Sequence, residues 1–340
     1  MNIKNNTTLL FTIASTAVIA ILFIMNIALG SINIPLASVA NILLGNEDKP
    51  VWQYIIIESR LPQAITATLC GASLAVSGLM LQTAFNNPLA GPSIFGINSG
   101  ASLGVAIVIL LMNGSIASSM LSVSGFAAII TGALAGSVLV IAMLLVCSRM
   151  VKSNVVILII GIMIGYLASA AISILNFLAS EQGVQSYVIW GMGNFSNVSI
   201  RHIPVFASVT TACILLSMLM IKPLDALLLG ERYAQNLGFD THSVRRQLLI
   251  LTGIQTAVTT AYCGPVSFIG LAVPHITRMI IHTDSASRLM PCTALSGAAI
   301  ALACNMLCTL PSNGSIIPLN AITPLIGAPV IIYLVIKQRN

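Results

Sequence analysis

Few residues in this 340-residue chain are of a type that does chemistry, and their placement narrows what they can do. His275 follows Pro274 inside an apolar stretch, where an imidazole can relay a proton, hold a ligand or bond a backbone carbonyl. The last use is the commonest, so His275 is expected to be a hydrogen-bonded packing residue. His202, His242 and His282 fall at the ends of apolar stretches and need no special role. Cys304 and Cys308 have the i,i+4 spacing that puts two thiols on one helical face, but no histidine or further cysteine lies close by in sequence. No metal is expected, and all seven cysteines read as reduced fillers of apolar spans. A membrane protease would need a Ser/His pair, paired aspartates or an H-E-x-x-H helix; no His-Glu motif occurs, and the acids lie elsewhere. No G-x-x-x-x-G-K-[ST] loop is present, so no nucleotide is expected through that motif. The eight acids, Glu47, Asp48, Glu58, Glu181, Asp225, Glu231, Asp240 and Asp284, all fall in expected loops or at their edges. A proton- or sodium-coupled carrier places such groups inside the bundle. No catalytic residue and no cofactor is expected in this chain.

The elements that position these residues are membrane helices. Hydrophobic residues make up 57% of the chain and charged ones 6%, against about 25% charged in soluble domains. Apolar runs long enough for a hydrocarbon core of about 30 Å recur from end to end. They lie near 8–30, 61–82, 94–112, 118–148, 154–179, 203–221, 244–265, 268–282, 290–310 and 321–337, ten in all. The first is too long for the apolar part of a signal peptide and reads as a span. The short 268–282 run, containing Pro274, reads as a broken or half-crossing helix.

Positive charge tests this layout independently, since Lys and Arg favour cytoplasmic loops. With the N-terminus inside, Lys4, Arg149, Lys152, Lys222, Arg232, Arg245, Arg246, Arg278, Arg288, Lys337 and Arg339 lie inside. Only Lys49, Arg60 and Arg201 lie outside. Both termini are therefore expected in the cytoplasm. The net charge of +6 follows from topology and lipid, and nucleic acid is not an expected partner.

Small residues recur four apart at Ala67, Gly71 and Ala75; Gly96, Gly100 and Gly104; Gly132 and Gly136; and Gly161 and Gly165. Such ladders let helix backbones approach closely, within one bundle or across a homodimer. Two segments break the helical pattern: Phe85-Asn86-Asn87-Pro88-Leu89-Ala90-Gly91-Pro92, and Tyr262-Cys263-Gly264-Pro265 with Gly270 to His275 after it. Unwound backbone at membrane depth belongs in the protein interior or beside a watery cavity, and such breaks in two halves point to a transport path. Ser99-Gly100-Ala101-Ser102 and Ser296-Gly297-Ala298-Ala299, each after a break, hint at a duplicated unit. The longest cytoplasmic connection, Lys222 to about Arg246, carries Leu224, Leu227, Leu228, Ala234 and Leu237 at spacings that put apolar side chains on one side of short surface helices. That suits a docking surface for a soluble partner.

Arg60-Leu61-Pro62, Gly71 to Gly78, Gln82, Asn87-Pro88-Leu89-Ala90, Gly96-Ile97 and Gly100-Ala101 together resemble the FecCD family. These are permease subunits of binding-protein-dependent ABC importers for iron chelates, haem and cobalamin. Leu237-Gly238, Gly264-Pro265, Phe268 to Leu271, Val273-Pro274-His275, Arg278, Pro291, Gly297-Ala298 and Ile326 to Pro329 extend the resemblance to the C-terminus. It implies an all-α polytopic membrane protein of about ten helices with broken helices, the cobalamin-permease-like ABC importer fold, as one permease domain over 1–340. It also implies a homodimer in the bacterial inner membrane, with two ATP-binding subunits beneath and an extracytoplasmic substrate-binding protein outside. ATP and Mg belong to the partner subunit. The cytoplasmic segment 222–243 then couples to the ATPase through Leu228, Gly230, Glu231, Ala234, Leu237 and Gly238. Gln82, Asn87, Pro88 and Leu89 match the gate of the translocation path, and Arg60 matches an outward-facing arginine that docks the binding protein.

The chain departs from the family pattern at three places. Gln63 stands where many relatives carry a second docking arginine, and Asn305 where an aspartate is usual. A common Glu-x-Pro-x-Gly reads Ile316-Ile317-Pro318-Leu319-Asn320. Gln63 and the Ile316–Asn320 stretch fall on or near the expected outer face, so binding-protein docking is expected to be altered. An ABC importer of an iron chelate, haem or cobalamin is the favoured function, and an ion-coupled carrier of a neutral solute the alternative.

Overall fold

A computed structural model describes residues 2–30, 32, 34–46, 49–111, 123–151, 153–309 and 317–337. Glu47, Asp48, Lys152, Ile316 and Arg339 lie outside the described residues. Regular structure among the described residues is entirely helical. In chain order the helices are α1 (Asn2–Ala28), α2 (Leu36–Leu43), α3 (Pro50–Tyr54), α4 (Leu61–Ala84), α5 (Ile97–Leu111), α6 (Val123–Met150), α7 (Asn154–Leu178) and α8 (Glu181–Gly191). There follow α9 (Ile203–Met218), α10 (Ile221–Leu228), α11 (Glu231–Asn236), α12 (Thr241–Cys263), α13 (Ile269–Ile281), α14 (Ala286–Thr309) and α15 (Leu319–Lys337). A π-helical turn, Ile55–Arg60, joins α3 to α4.

Each of the ten expected apolar runs contains a helix: α1, α4, α5, α6, α7, α9, α12, α13, α14 and α15. Five continuous stretches are long and apolar enough to cross a membrane by length and composition: Thr7–Ala28, Pro50–Ala84, Gly125–Met150, Val155–Leu178 and Ala286–Thr309. Helices α9 and α10 pass that test together but bend by 49° where they meet. The shorter apolar helices are Ile97–Leu110, Ile269–Ile281 and Leu319–Tyr333. Helix α12 falls short in hydropathy because its interior is polar. Thr252, Gln255, Thr256, Thr259 and Thr260 are all buried, with hydroxyls donating back along the helix, as from Thr252 to Leu248 at 2.7 Å. Gln255 Nε2 donates to Ser217 of α9 at 2.9 Å, and Thr260 Oγ1 to Asn98 Oδ1 of α5 at 3.0 Å. This helix lies among other helices, where interhelical hydrogen bonds replace the lipid contact that hydropathy measures.

Helix α4 is the axle of the bundle, buried along most of its length and packed against α9, α12, α13 and α14. Its small residues make that possible. A Cβ on Gly71 would overlap the carbonyl oxygen of Gly297 in α14, and one on Gly297 would overlap that of Gly71. The ladders at Gly100 and Gly104 in α5 and at Gly132 and Gly136 in α6 meet each other in the same reciprocal way. Gly161 of α7 lies against the backbone of Phe95. These seams lie within one chain and use the close approach that small residues allow.

Candidate functional site

After α4 the chain turns back into the bundle instead of continuing out. Asn86 takes a left-handed conformation with φ 45° and Gly96 one with φ 75°, bracketing the return segment. Pro92 lies against Gly270 of α13, and Gly270 in turn lies against Gly78. Six residues separate Gly78 from the end of α4, so the segment re-enters by about 9 Å of helix rise.

Gln82, Pro88 and α13 form one hydrogen-bonded group. Gln82 Nε2 donates to the carbonyl of Leu271 at 3.0 Å, and its Oε1 accepts from Arg278 Nη1 at 3.2 Å. Arg278 Nε also pairs with Asp284 Oδ1 at 3.3 Å. His275 Nε2 lies 2.7 Å from the carbonyl oxygen of Pro88. A carbonyl only accepts, so Nε2 carries the proton. His275 thus has the hydrogen-bonded packing role expected of it, and the carbonyl it holds belongs to the other broken segment. Asn87 spends its Oδ1 on its own turn, accepting from the Leu89 amide at 2.9 Å. Leu89, 42% exposed, is left as the apolar tip of the loop. Three of the four expected gate residues, Gln82, Asn87 and Pro88, therefore hold the loop, and Leu89 is the side chain it presents.

The 222–243 segment folds as two short helices, α10 and α11, joined at Gly230 with φ 106° and closed by Gly238 with φ 86°. No atom would lie within 4 Å of a Cβ at either glycine, so the requirement there is conformational. Leu224, Ala226 and Ala234 turn inward, while Leu228, Leu229, Tyr233 and Leu237 stand exposed. The expected single apolar side is thus two sides, one holding the segment to the bundle and one offered outward. Asp225 Oδ1 accepts from the Ala286 amide at 2.6 Å, satisfying a free N–H at the start of α14. Glu231 pairs with Arg245 of α12. A neighbouring cleft of about 380 Å³ brings Arg149, Arg245 and Arg246 together, three of the cations expected on one side of the membrane.

The opposite end departs most from expectation. Arg60, expected to face outward and dock a partner, is buried. Its Nη1 donates to the carbonyls of Ile27 and Ala28 at 2.9 and 2.8 Å, and its Nη2 donates to Ile32. Helix α1 ends there with the negative end of its dipole and carbonyls that its own helix does not pair, and the guanidinium answers both, although the Ala28 carbonyl also accepts from the Ile34 amide at 3.2 Å. Docking through Arg60 would require its release from these three acceptors. Gln63 and Asn305, two departures from the family pattern, bond each other. Gln63 Nε2 donates to Asn305 Oδ1 at 2.9 Å, and Asn305 Nδ2 to Asn26 Oδ1 of α1 at 2.7 Å. Gln63 is buried at this end of the bundle rather than standing exposed on its surface. Asn320, part of the third departure, is a clamp. Its Nδ2 donates to Gly191 and Pro265 carbonyls at 3.1 and 2.6 Å, and its Oδ1 accepts from the Ser267 amide at 3.2 Å. The second break, with φ 75° at Gly264 and 66° at Phe268, is fixed by this side chain. Gln63, Asn305 and Leu319 line one cavity of about 200 Å³ at this end.

Sequence reasoning missed Arg245, Asp225 and Asn320. Arg245 was visible only as one of many basic residues at a span end, and nothing local marked its acid partner. Asn320 registered only as a departure from a motif.

The fold is a polytopic helical bundle with two broken helices in its interior and a two-helix segment on its surface. The profile of the FecCD transport family matches residues 18–337, and the chain belongs to that family. It is 31% identical over 323 residues to the hemin transport system permease protein of Yersinia pestis, covering 94% of this chain and 95% of that one. It is 32% identical over 289 residues to the vitamin B12 import system permease protein of Pectobacterium atrosepticum, covering 85% and 83%. A solved structure described as an inward-facing, metal-chelate type ABC transporter superposes with a TM-score of 0.82 at 28% identity, covering 96% of this chain and 98% of that one. The chain is a permease subunit of an ABC importer, and these likenesses do not favour the ion-coupled carrier.

Proposed function

We propose that this permease works as a homodimer in the bacterial inner membrane, carrying haem, another iron chelate or cobalamin into the cytoplasm. Two ATP-binding subunits sit against α10 and α11, and a substrate-binding protein docks at the opposite end. Both termini are cytoplasmic, on the side of α10 and α11. ATP and Mg are bound by the partner, and this chain supplies the passage. Haem is the first substrate to test, since the hemin permease relative covers nearly the whole of both chains. One observation carries the coupling assignment: α10 and α11 are anchored inward by Leu224, Ala234, Asp225 and Glu231 yet leave Leu228, Leu229, Tyr233 and Leu237 exposed. An apolar patch on an otherwise polar cytoplasmic segment fits a protein partner. Gly230 and Gly238 let the segment leave and rejoin the bundle.

In this reading the 85–96 loop, with Leu89 at its tip, narrows the path at the α10–α11 end. His275 keeps the loop attached to α13, and Gln82 and Arg278 keep the end of α4 there, so α13 and the loop move together when the subunits rock between outward- and inward-open states. The test is uptake by purified protein in liposomes, with and without the ATP-binding subunits and binding protein, under ATP or an imposed ion gradient. Uptake of haemin only with ATP and both partners is the expected result. Gradient-driven uptake by this chain alone would overturn the reading.

A further inference from the structure

The ion pair between Glu231 and Arg245 has a geometry that packing of the α10–α11 segment alone does not require. Glu231 stands half exposed on the partner-facing segment, whereas Arg245 is 5% exposed, among the most deeply buried cations of the described residues. Its Nε has no hydrogen-bond partner among the described residues, so the guanidinium is held mainly through its Nη2 contact to Glu231. A buried cation separated from its acid is costly, so the two side chains move as one unit. The other face of the guanidinium lies over the ring of Phe85, with Cζ 5.9 Å from the ring centroid. Phe85 is the first residue after α4, where the re-entrant segment begins. Its ring packs against that of Phe95, centroids 4.7 Å apart, at the other end of the same segment. Phe95 is fully buried, and its backbone is pressed against Gly161 of α7. The return segment is therefore held by α13 through His275, by α7 through the Phe95 backbone, and by α12 through Arg245, which lies over Phe85 and is itself paired with Glu231 of α11.

We infer that Arg245 is the positioning residue that ties the ATPase-facing α11 to the 85–96 gate segment. Displacement of Glu231 by the partner shifts the guanidinium, and the aromatic pair carries that shift to both ends of the loop. The inference rests on the proposed coupling role of α10 and α11.

The test uses the full chain with its ATP-binding subunits in lipid nanodiscs. Hydrogen exchange of peptides spanning 85–96 is compared before and after trapping with ATP and orthovanadate. In the unaltered complex, trapping changes exchange in this segment. Arg245→Met retains the ATP-binding subunits but loses at least about fivefold of that change, while Arg245→Lys, which keeps a cation between acid and ring, retains it. If Arg245→Met fails to assemble, Phe85→Leu, which keeps the ion pair and removes the ring, is expected to show the same loss. A full-sized response in Arg245→Met, or in Phe85→Leu where that variant replaces it, overturns the inference. So does the absence of any trapping-dependent change in an unaltered complex that does assemble. Failure of the ATP-binding subunits to associate with the unaltered chain would instead overturn the coupling assignment itself.

Discussion

The two broken segments, 85–96 after α4 and 264–268 after α12, solve the same problem in different ways. Each must satisfy backbone groups that a continuous helix would have paired. The second break is short and self-contained. Asn320 holds Pro265 and Ser267, and the Asn194 amide donates to the Cys263 carbonyl at 2.9 Å, so the segment is fixed to α8 and α15 at one end of the bundle. The first break is longer and carries an exposed Leu89, and its attachments are chemically mixed: an imidazole on Pro88, an arginine over Phe85, and close backbone packing of Pro92 on Gly270 and of Phe95 on Gly161. A clamp built on a single amide with three bonds makes a rigid joint. A loop held by separate contacts from α13 and α12 can follow either one, which is the property the proposed gate needs.

Substitutions that separate joint from gate test this contrast, beginning with the most disruptive. Gly78→Leu should prevent folding, because a Cβ there overlaps the Gly270 carbonyl and forces α4 from α13. A loss of about 3 kcal/mol or more, seen as absence of a monodisperse peak after solubilisation, is expected. Asn320→Ala should cost about 2–3 kcal/mol by leaving two carbonyls and an amide unpaired, lowering the thermal midpoint while leaving ATP-dependent exchange in 85–96 unchanged. Altered exchange in 85–96 would show that the two breaks are one mechanical unit. His275→Ala should cost only about 1–2 kcal/mol, and its mark should be faster exchange across 86–92, with 264–268 unaffected. Equal protection in the variant and the parent would remove His275 from the gate. Gly238→Ala is the mildest change. Open space surrounds that position, so only the strain of φ 86° is felt, about 1 kcal/mol. Insertion should be normal, and coupling of ATP hydrolysis to uptake should fall; unaltered coupling would detach this turn from the partner surface.

Much of the architecture was legible because its signals are local. Apolar runs, Gly and Pro at Asn87–Pro92 and Gly264–Pro265, and small-residue ladders depend on neighbours a few residues apart. They located ten helices and both breaks. The 244–265 run located α12 but not its polar interior, since what its threonines and glutamines bond to is set by neighbouring helices. Local pattern was equally blind to what the ladders face: Gly71 and Gly297 are far apart in sequence and meet only when α4 and α14 cross.

From the amino-acid order alone came the class of protein, the helices in its ten apolar runs, the places where helices stop, and the family pattern that names its kind of work. Which polar groups find each other was decided by tertiary structure. Arg60 reads as an outward-facing charge, but the fold brings the end of α1 beside it, where its guanidinium donates to the Ile27 and Ala28 carbonyls. Gln63 and Asn305, separated by 242 positions, read as two lost charges until they prove to be one buried amide pair. Pro88 and His275, 187 positions apart, and Glu231 and Arg245, on different helices, are joined by packing that no local pattern encodes. The reason is physical. A buried donor or acceptor must be paired, and the bundle geometry that pairs it is a property of all the helices together.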